Sequence, residues 1–161
     1  MKEDDSSQPS PSAERAADIL LVEDDAIHAK LTLRALAQCG LAHRTEHVTD
    51  GLEALDYIAS VNLFEGGQAS MPKLILLDLG LPKMGGLQVL RQLKSDVRTK
   101  SIPIVVLTST KVAIELMESY KLGVNSYVIK PEDPAEYADM ISEVGRYWMR
   151  INEPPPLRST V

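Results

Sequence analysis

The order of apolar and polar positions divides the chain into short unbroken hydrophobic runs and longer stretches with helical spacing. ILLV (19–22), LILL (74–77) and IPIVVLT (102–108) are continuous apolar runs, the pattern of strands covered on both faces. LAHRTEHV (41–48) and NSYVIK (125–130) read as two weaker strands. Between the first two runs, residues 26–38 place Ile27, Leu31 and Ala35 along one helical face with Leu36 beside them, and Gly40 follows as a C-cap. Thr49 or Asp50 caps a second helix carrying Leu52, Leu55, Ile58 and Ala59. FEGGQASMP (64–72) reads as a loop. Gly85-Gly86 opens a third helix with Leu87, Leu90 and Leu93, and residues 112–121 form a fourth, closed by Gly123. Tyr137, Ile141, Val144 and Trp148 are spaced 4, 3 and 4 apart, the stripe of a fifth helix. Trp148 suits either core packing or burial in an interface. Five strands alternating with five helices predict an α/β fold, a parallel sheet with helices on both faces.

The ends do not belong to this pattern. Residues 1–18 are rich in Ser, Pro and charge without an apolar face and read as a disordered tail. Glu153-Pro154-Pro155-Pro156 stops the last helix, so the folded body is expected over 19–151, with a short tail at 152–161. Lys2 and Arg15 against Glu3, Asp4, Asp5, Glu14 and Asp18 give the first segment −3, half of the net charge of −6 carried by the 161 residues. That balance, with 4% aromatic residues, argues against a nucleic-acid surface. No run approaches a membrane span and the N-terminus does not resemble a signal peptide, so a cytoplasmic protein is expected. The single Cys39 excludes an intramolecular disulfide framework and reads as a small buried residue.

In a sheet of this kind, ligands bind where polar groups collect past the carboxyl ends of the strands. Those ends deliver Glu23-Asp24-Asp25, then Asp78, then Thr108-Ser109, then Lys130-Pro131. Clustered carboxylates repel one another unless they share protons or neutralise a cation. An all-oxygen donor set suits Mg²⁺, while His28, His43 and His47 lie away from the strand ends, which argues against zinc. Thr108 and Lys130 could contact phosphate oxygens, and an Asp could accept a phosphoryl group as an acyl phosphate. Each residue also has a plainer reading. Asp24 or Asp25 could simply cap the first helix, Thr108 could bond backbone, and Lys130 could be a solvated edge residue.

The motifs together resemble the receiver domain of two-component response regulators over residues 19 to about 149. LLVEDD matches the family's acidic motif, and LILLDLGLPKMGG its hallmark strand and loop. VVLTST and YVIKP match the strands that carry the switch hydroxyl and the lysine. The resemblance implies a flavodoxin-like sheet of order 2-1-3-4-5 and makes Asp78 the phosphoacceptor. Glu23, Asp24, Asp78 and the backbone carbonyl of Gly80 would be the Mg²⁺ ligands, Thr108 and Lys130 the phosphate-binding groups, and Tyr127 the switch aromatic. It implies a chain that catalyses only its own phosphotransfer and dephosphorylation. Three departures stand out. Gly80 and Thr110 occupy the two positions through which receivers tune dephosphorylation, so an altered phosphoryl lifetime is expected. Gly85 replaces the usual helix-capping Asp. The 54 residues from Asp24 to Asp78 include an enlarged loop at 60–72.

That loop and the Tyr147-Trp148 pair resemble the stand-alone regulators paired with bacterial phytochromes. A sensor histidine kinase is therefore the expected phosphodonor. With only about a dozen residues after the fifth helix, output is expected through protein contact. This could be a homodimer across the helix 4–strand 5–helix 5 face, docking on a target, or relay to a histidine phosphotransfer protein. A non-phosphorylated pseudo-receiver is the main rival. A haloacid-dehalogenase-like phosphatase would need a second Asp at Gly80, and a flavodoxin-like redox protein would need amides and hydroxyls where Glu23-Asp24-Asp25 stands.

Overall fold

A computed structural model of the chain describes residues 17–63 and 71–155. The expectations for the tails at 1–16 and 156–161, and for most of the enlarged loop, lie outside the described residues. Five strands, β1 (Ile19–Val22), β2 (Thr45–Val48), β3 (Leu74–Leu77), β4 (Ile104–Thr108) and β5 (Ser126–Ile129), alternate with α1 (Ala26–Gln38), α2 (Gly51–Leu63), α3 (Gly86–Ser95), α4 (Ala113–Lys121) and α5 (Pro134–Arg146). All pairs are parallel and the order is β2-β1-β3-β4-β5, as the resemblance implies.

Alternate side chains of a strand point to opposite faces, which sorts the apolar runs into two cores. Leu20, Val22, Ile75, Leu77, Ile104 and Val106 face α2 and α3, meeting Ala54, Ile58, Val89, Leu90 and Leu93. Ile19, Leu21, Leu74, Leu76, Val105 and Leu107 face α1 and α5, meeting Ala29, Ala35, Leu36, Tyr137 and Ile141. The continuous runs mark strands covered on both sides, and β1, β3 and β4 are buried at every position.

Several boundaries differ from expectation for identifiable reasons. The fourth strand begins at Ile104 because Pro103 has no N–H to give the ladder. A 3₁₀ turn at Ala42–Arg44 takes up the start of the expected second strand. Ile27 is not a core residue but is 70% exposed. The buried face of α1 is Ala29, Thr32, Ala35 and Leu36, and Thr32 is tolerated there because its hydroxyl meets that of Tyr137 at 2.8 Å. Cys39 is half-buried, and its carbonyl accepts from Arg150 at 2.6 Å. Trp148 lies in a widened turn at Tyr147–Ile151, packs against the α1–α5 core and sets its ring edge-on to Tyr147. Asp18, read with the N-terminal tail, is buried and ion-paired with Arg44 and Lys73.

The turn after β3 depends on two adjacent glycines with opposite tolerances. A Cβ on Gly86 would overlap the Asp78 carbonyl and the Leu79 Cα, both of them backbone, whereas one on Gly85 meets nothing. Gly85 is the N-cap of α3, in extended conformation and without a side-chain cap bond. Gly86→Ala is therefore expected to destabilise by about 1–3 kcal/mol through overpacking. Gly85→Asp should stabilise by roughly a few tenths of a kcal/mol by capping the helix. Urea unfolding midpoints check both, and a wild-type midpoint for Gly86→Ala would contradict the packing argument.

Candidate functional site

Register brings the expected residues to one edge. Val22 pairs with Leu77, and Leu77 with Val106, so the residues that follow these strands emerge side by side. Two backbone bonds extend the ladder past the strands: Asp78 N–H donates to the Val22 carbonyl at 3.0 Å and Lys130 N–H to that of Thr108 at 2.8 Å. Glu23, Asp24 and Asp78 each offer a carboxylate oxygen within 4.8 Å of the others. Glu23 is buried, Asp78 half-buried and Asp24 exposed. Asp25 is the residue that caps α1, accepting from Ile27 and His28 N–H at 2.9 Å, which leaves Asp24 free of that duty.

Lys130 ties the carboxylates together. Its ammonium donates to Glu23 Oε2 at 2.5 Å and to Asp78 Oδ2 at 3.0 Å, with the Lys130 and Glu23 side chains both only 2% exposed. Burial works against the charged lysine, but hydrogen bonding to Glu23 and the charge of Asp78 outweigh it, and its pKa is raised. Burial, joined by the neighbouring Asp78, pushes the Glu23 carboxyl up to about 7 against the pull of Lys130. Three carboxylates against one ammonium leave a surplus of two negative charges when all are ionised. The arrangement can hold a divalent cation, and its donors are all oxygen.

The Asp78 carboxylate is held on both sides, since Oδ1 accepts the Gly80 N–H at 2.9 Å. Thr108 and Tyr127 meet elsewhere. The Thr108 hydroxyl accepts from Thr110 N–H at 3.2 Å, and the Tyr127 hydroxyl donates to the Thr110 carbonyl at 3.4 Å. Both switch candidates therefore converge on one residue of the β4–α4 turn. The Thr110 hydroxyl itself accepts from Val112 N–H at 3.2 Å.

Two histidines that the residue pattern sets aside lie against this cluster. His47 Nε2 donates to the Glu23 carbonyl at 2.8 Å, bracing the β1 end from β2. His28 Nδ1 lies 3.2 Å from the Lys130 ammonium. Its position four residues after Asp24, on the first turn of α1, is the signal that could have placed it at the strand ends.

Residues 19–142 match the response regulator receiver domain model. The chain is 43% identical over 137 residues to "Probable methanogenesis regulatory protein FilR2" of Methanothrix harundinacea (strain 6Ac), covering 85% of this chain and 86% of that protein. The phosphorylated cyanobacterial phytochrome response regulator RcpA superimposes with a TM-score of 0.78 at 35% identity, covering 88% of this chain and 99% of that one. The bacteriophytochrome response regulator RtBRR superimposes with a TM-score of 0.65 at 43% identity, covering 88% of this chain and 85% of that one. The chain belongs to the response regulator receiver domain family, receiving a phosphoryl signal and mediating downstream protein contacts.

Proposed function

We propose that Asp78 is the phosphoacceptor and that a sensor histidine kinase supplies the group. The observation that carries this reading is the buried Lys130 held between Glu23 and Asp78 at the carboxyl edge of the sheet. An oxygen of the Asp78 carboxylate forms the O–P bond while the P–N bond of the donor phosphohistidine breaks, its electron pair staying with the imidazole. Lys130, already bonded to Asp78 Oδ2, then has a phosphoryl oxygen to receive its N–H. Glu23, Asp24, Asp78 and the Gly80 carbonyl would hold Mg²⁺, which when bound neutralises charge on the carboxylates and the transferred group. The similarity to RcpA and RtBRR favours a phytochrome-type sensor as the kinase.

Output is proposed to leave through the α4–β5–α5 face. Among the residues of α4 only Ser119 is buried, while Ile114 is 67% and Met117 58% exposed, beside exposed Tyr120 and Ile129. New negative charge on Asp78 would draw the Thr108 hydroxyl away from Thr110 and let Tyr127 follow, remodelling this face. The favoured occupant is a second copy of the chain, given the apolar character of the patch.

Phosphoramidate with Mg²⁺ should add about 80 Da, one phosphoryl group. Asp78→Asn or a chelator should abolish the gain. No gain in the wild type, or a gain that persists in Asp78→Asn, would reject the assignment. Sedimentation should then show a dimer that forms on phosphorylation and is prevented by Ile114→Asp. An unchanged mass under phosphorylating conditions rejects dimer output and points to docking or relay.

A further inference from the structure

The hydrogen bonds at Lys130 single out His28. A protonated lysine has three N–H groups and no acceptor. Here two go to Glu23 Oε2 and Asp78 Oδ2, and the third is directed at His28 Nδ1 at 3.2 Å. Because an ammonium can only donate, that ring nitrogen must be the unprotonated acceptor, which assigns His28 as the neutral tautomer with its proton on Nε2.

The ring is itself held in place. It stacks on Tyr137 of α5, with centroids 5.6 Å apart and planes 14° from parallel. Tyr137 is fully buried, and its hydroxyl meets that of Thr32, one turn further along α1. A chain of contacts thus runs Thr32–Tyr137–His28–Lys130, closing on the same helix that carries His28.

Resting on the assignment of Asp78 as phosphoacceptor, we propose that His28 is a positioning residue that fixes the Lys130 ammonium for phosphoryl transfer. When Asp78 takes up the group, Lys130 must redirect one N–H from the carboxylate to a phosphoryl oxygen. Glu23 and His28 are the two contacts that stay, so they define the pivot about which the ammonium turns. Without the His28 acceptor, the third N–H is left unsatisfied in a site with little water, and of the two contacts that stay through the transfer only Glu23 remains. The small displacements this allows are the kind to which a preorganised electrostatic site is sensitive.

Substitutions separate the two things the ring does. His28→Phe keeps an aromatic face for Tyr137 but has no acceptor. His28→Asn offers a carbonyl at the reach of Nδ1 but gives up the stack. With phosphoramidate and Mg²⁺, the rate of mass gain in His28→Phe is expected to fall about tenfold, the scale of a hydrogen bond to a charged group. His28→Asn should stay within about twofold of wild type by the same argument. A structural role predicts the reverse order. In a Lys130→Met background, His28→Phe should change the rate no further, since the partner it acts through is gone. Wild-type uptake in His28→Phe, a rate for His28→Asn as low as that of His28→Phe, or an equal loss in both backgrounds overturns the proposal. These results stand apart from a failure of the phosphoacceptor reading, in which the wild type itself takes up nothing or Asp78→Asn still gains mass, and which overturns both.

Discussion

Glu23 and Lys130 are opposite charges with almost no water around them, and the surrounding structure is organised by the need to keep them together. Removing one partner of such a pair leaves an uncompensated buried charge, a loss of about 3–5 kcal/mol in comparable cases. The pair is not self-sufficient either. Burial drives the Glu23 carboxyl up to about 7 even with the ammonium at 2.5 Å. Lys130 divides its attention between Glu23 and Asp78, so neither carboxylate is neutralised outright. Adding the exposed Asp24 makes the deficit larger. A cluster that is over-supplied with carboxylate and buried at its centre is suited to a divalent cation.

The fold meets this constraint by stiffening the elements beneath it. β1 and β3, which carry Glu23, Asp24 and Asp78, are the central strands and are buried at every position. From β2, His47 holds the Glu23 carbonyl; from the β3–α3 turn, Gly80 N–H holds Asp78. Gly86 lets α3 start directly against the Asp78 backbone, an approach no other residue could make. Lys83 adds a further tie by reaching Asp50, whose other oxygen caps α2 at the Glu53 N–H. Hydrogen bonding from Glu53 and then from Lys83 holds the Asp50 carboxyl below its ordinary range.

Much of this arrangement is legible along the chain because parallel strands impose it. ILLV, LILL and IVVLT read as covered strands, and in a parallel sheet their carboxyl ends must share an edge, while the strand order that makes Glu23, Asp78 and Thr108 neighbours is implied by the family resemblance and matched by the fold. What is not legible depends on rotation and on side-chain direction. Ile27 fits an apolar stripe by spacing, yet the helix turns Ala29 and Thr32 inward, because a hydroxyl partnered by Tyr137 is as acceptable in the core as a methyl. His28 reads along the chain as lying away from the strand ends, yet the first turn of α1 rises directly beside them. Position along the chain places Thr108 at the end of the strand beside β3 and Tyr127 on the strand beyond it, but not the direction of their hydroxyls, which both engage Thr110.

That engagement marks where stiffness gives way. Thr110 presents its N–H to Thr108 and its carbonyl to Tyr127, so a single peptide unit on either side of one residue carries both contacts. The bonds are long, at 3.2 and 3.4 Å, and the helix that follows has one buried residue. β5 beneath it is only partly covered, with Ile129 facing outward. Compared with the braced β1–β3 half, this side of the molecule has little packing to lose on rearranging. A local charge added at Asp78 cannot easily displace Glu23 or Gly86, where burial and backbone contact resist it. The Thr108 hydroxyl is held by one weak bond and stands at the end of the neighbouring strand. If phosphorylation at Asp78 sends a signal outward as proposed, the uneven distribution of packing around the site directs it toward this side, where α4 buries only Ser119.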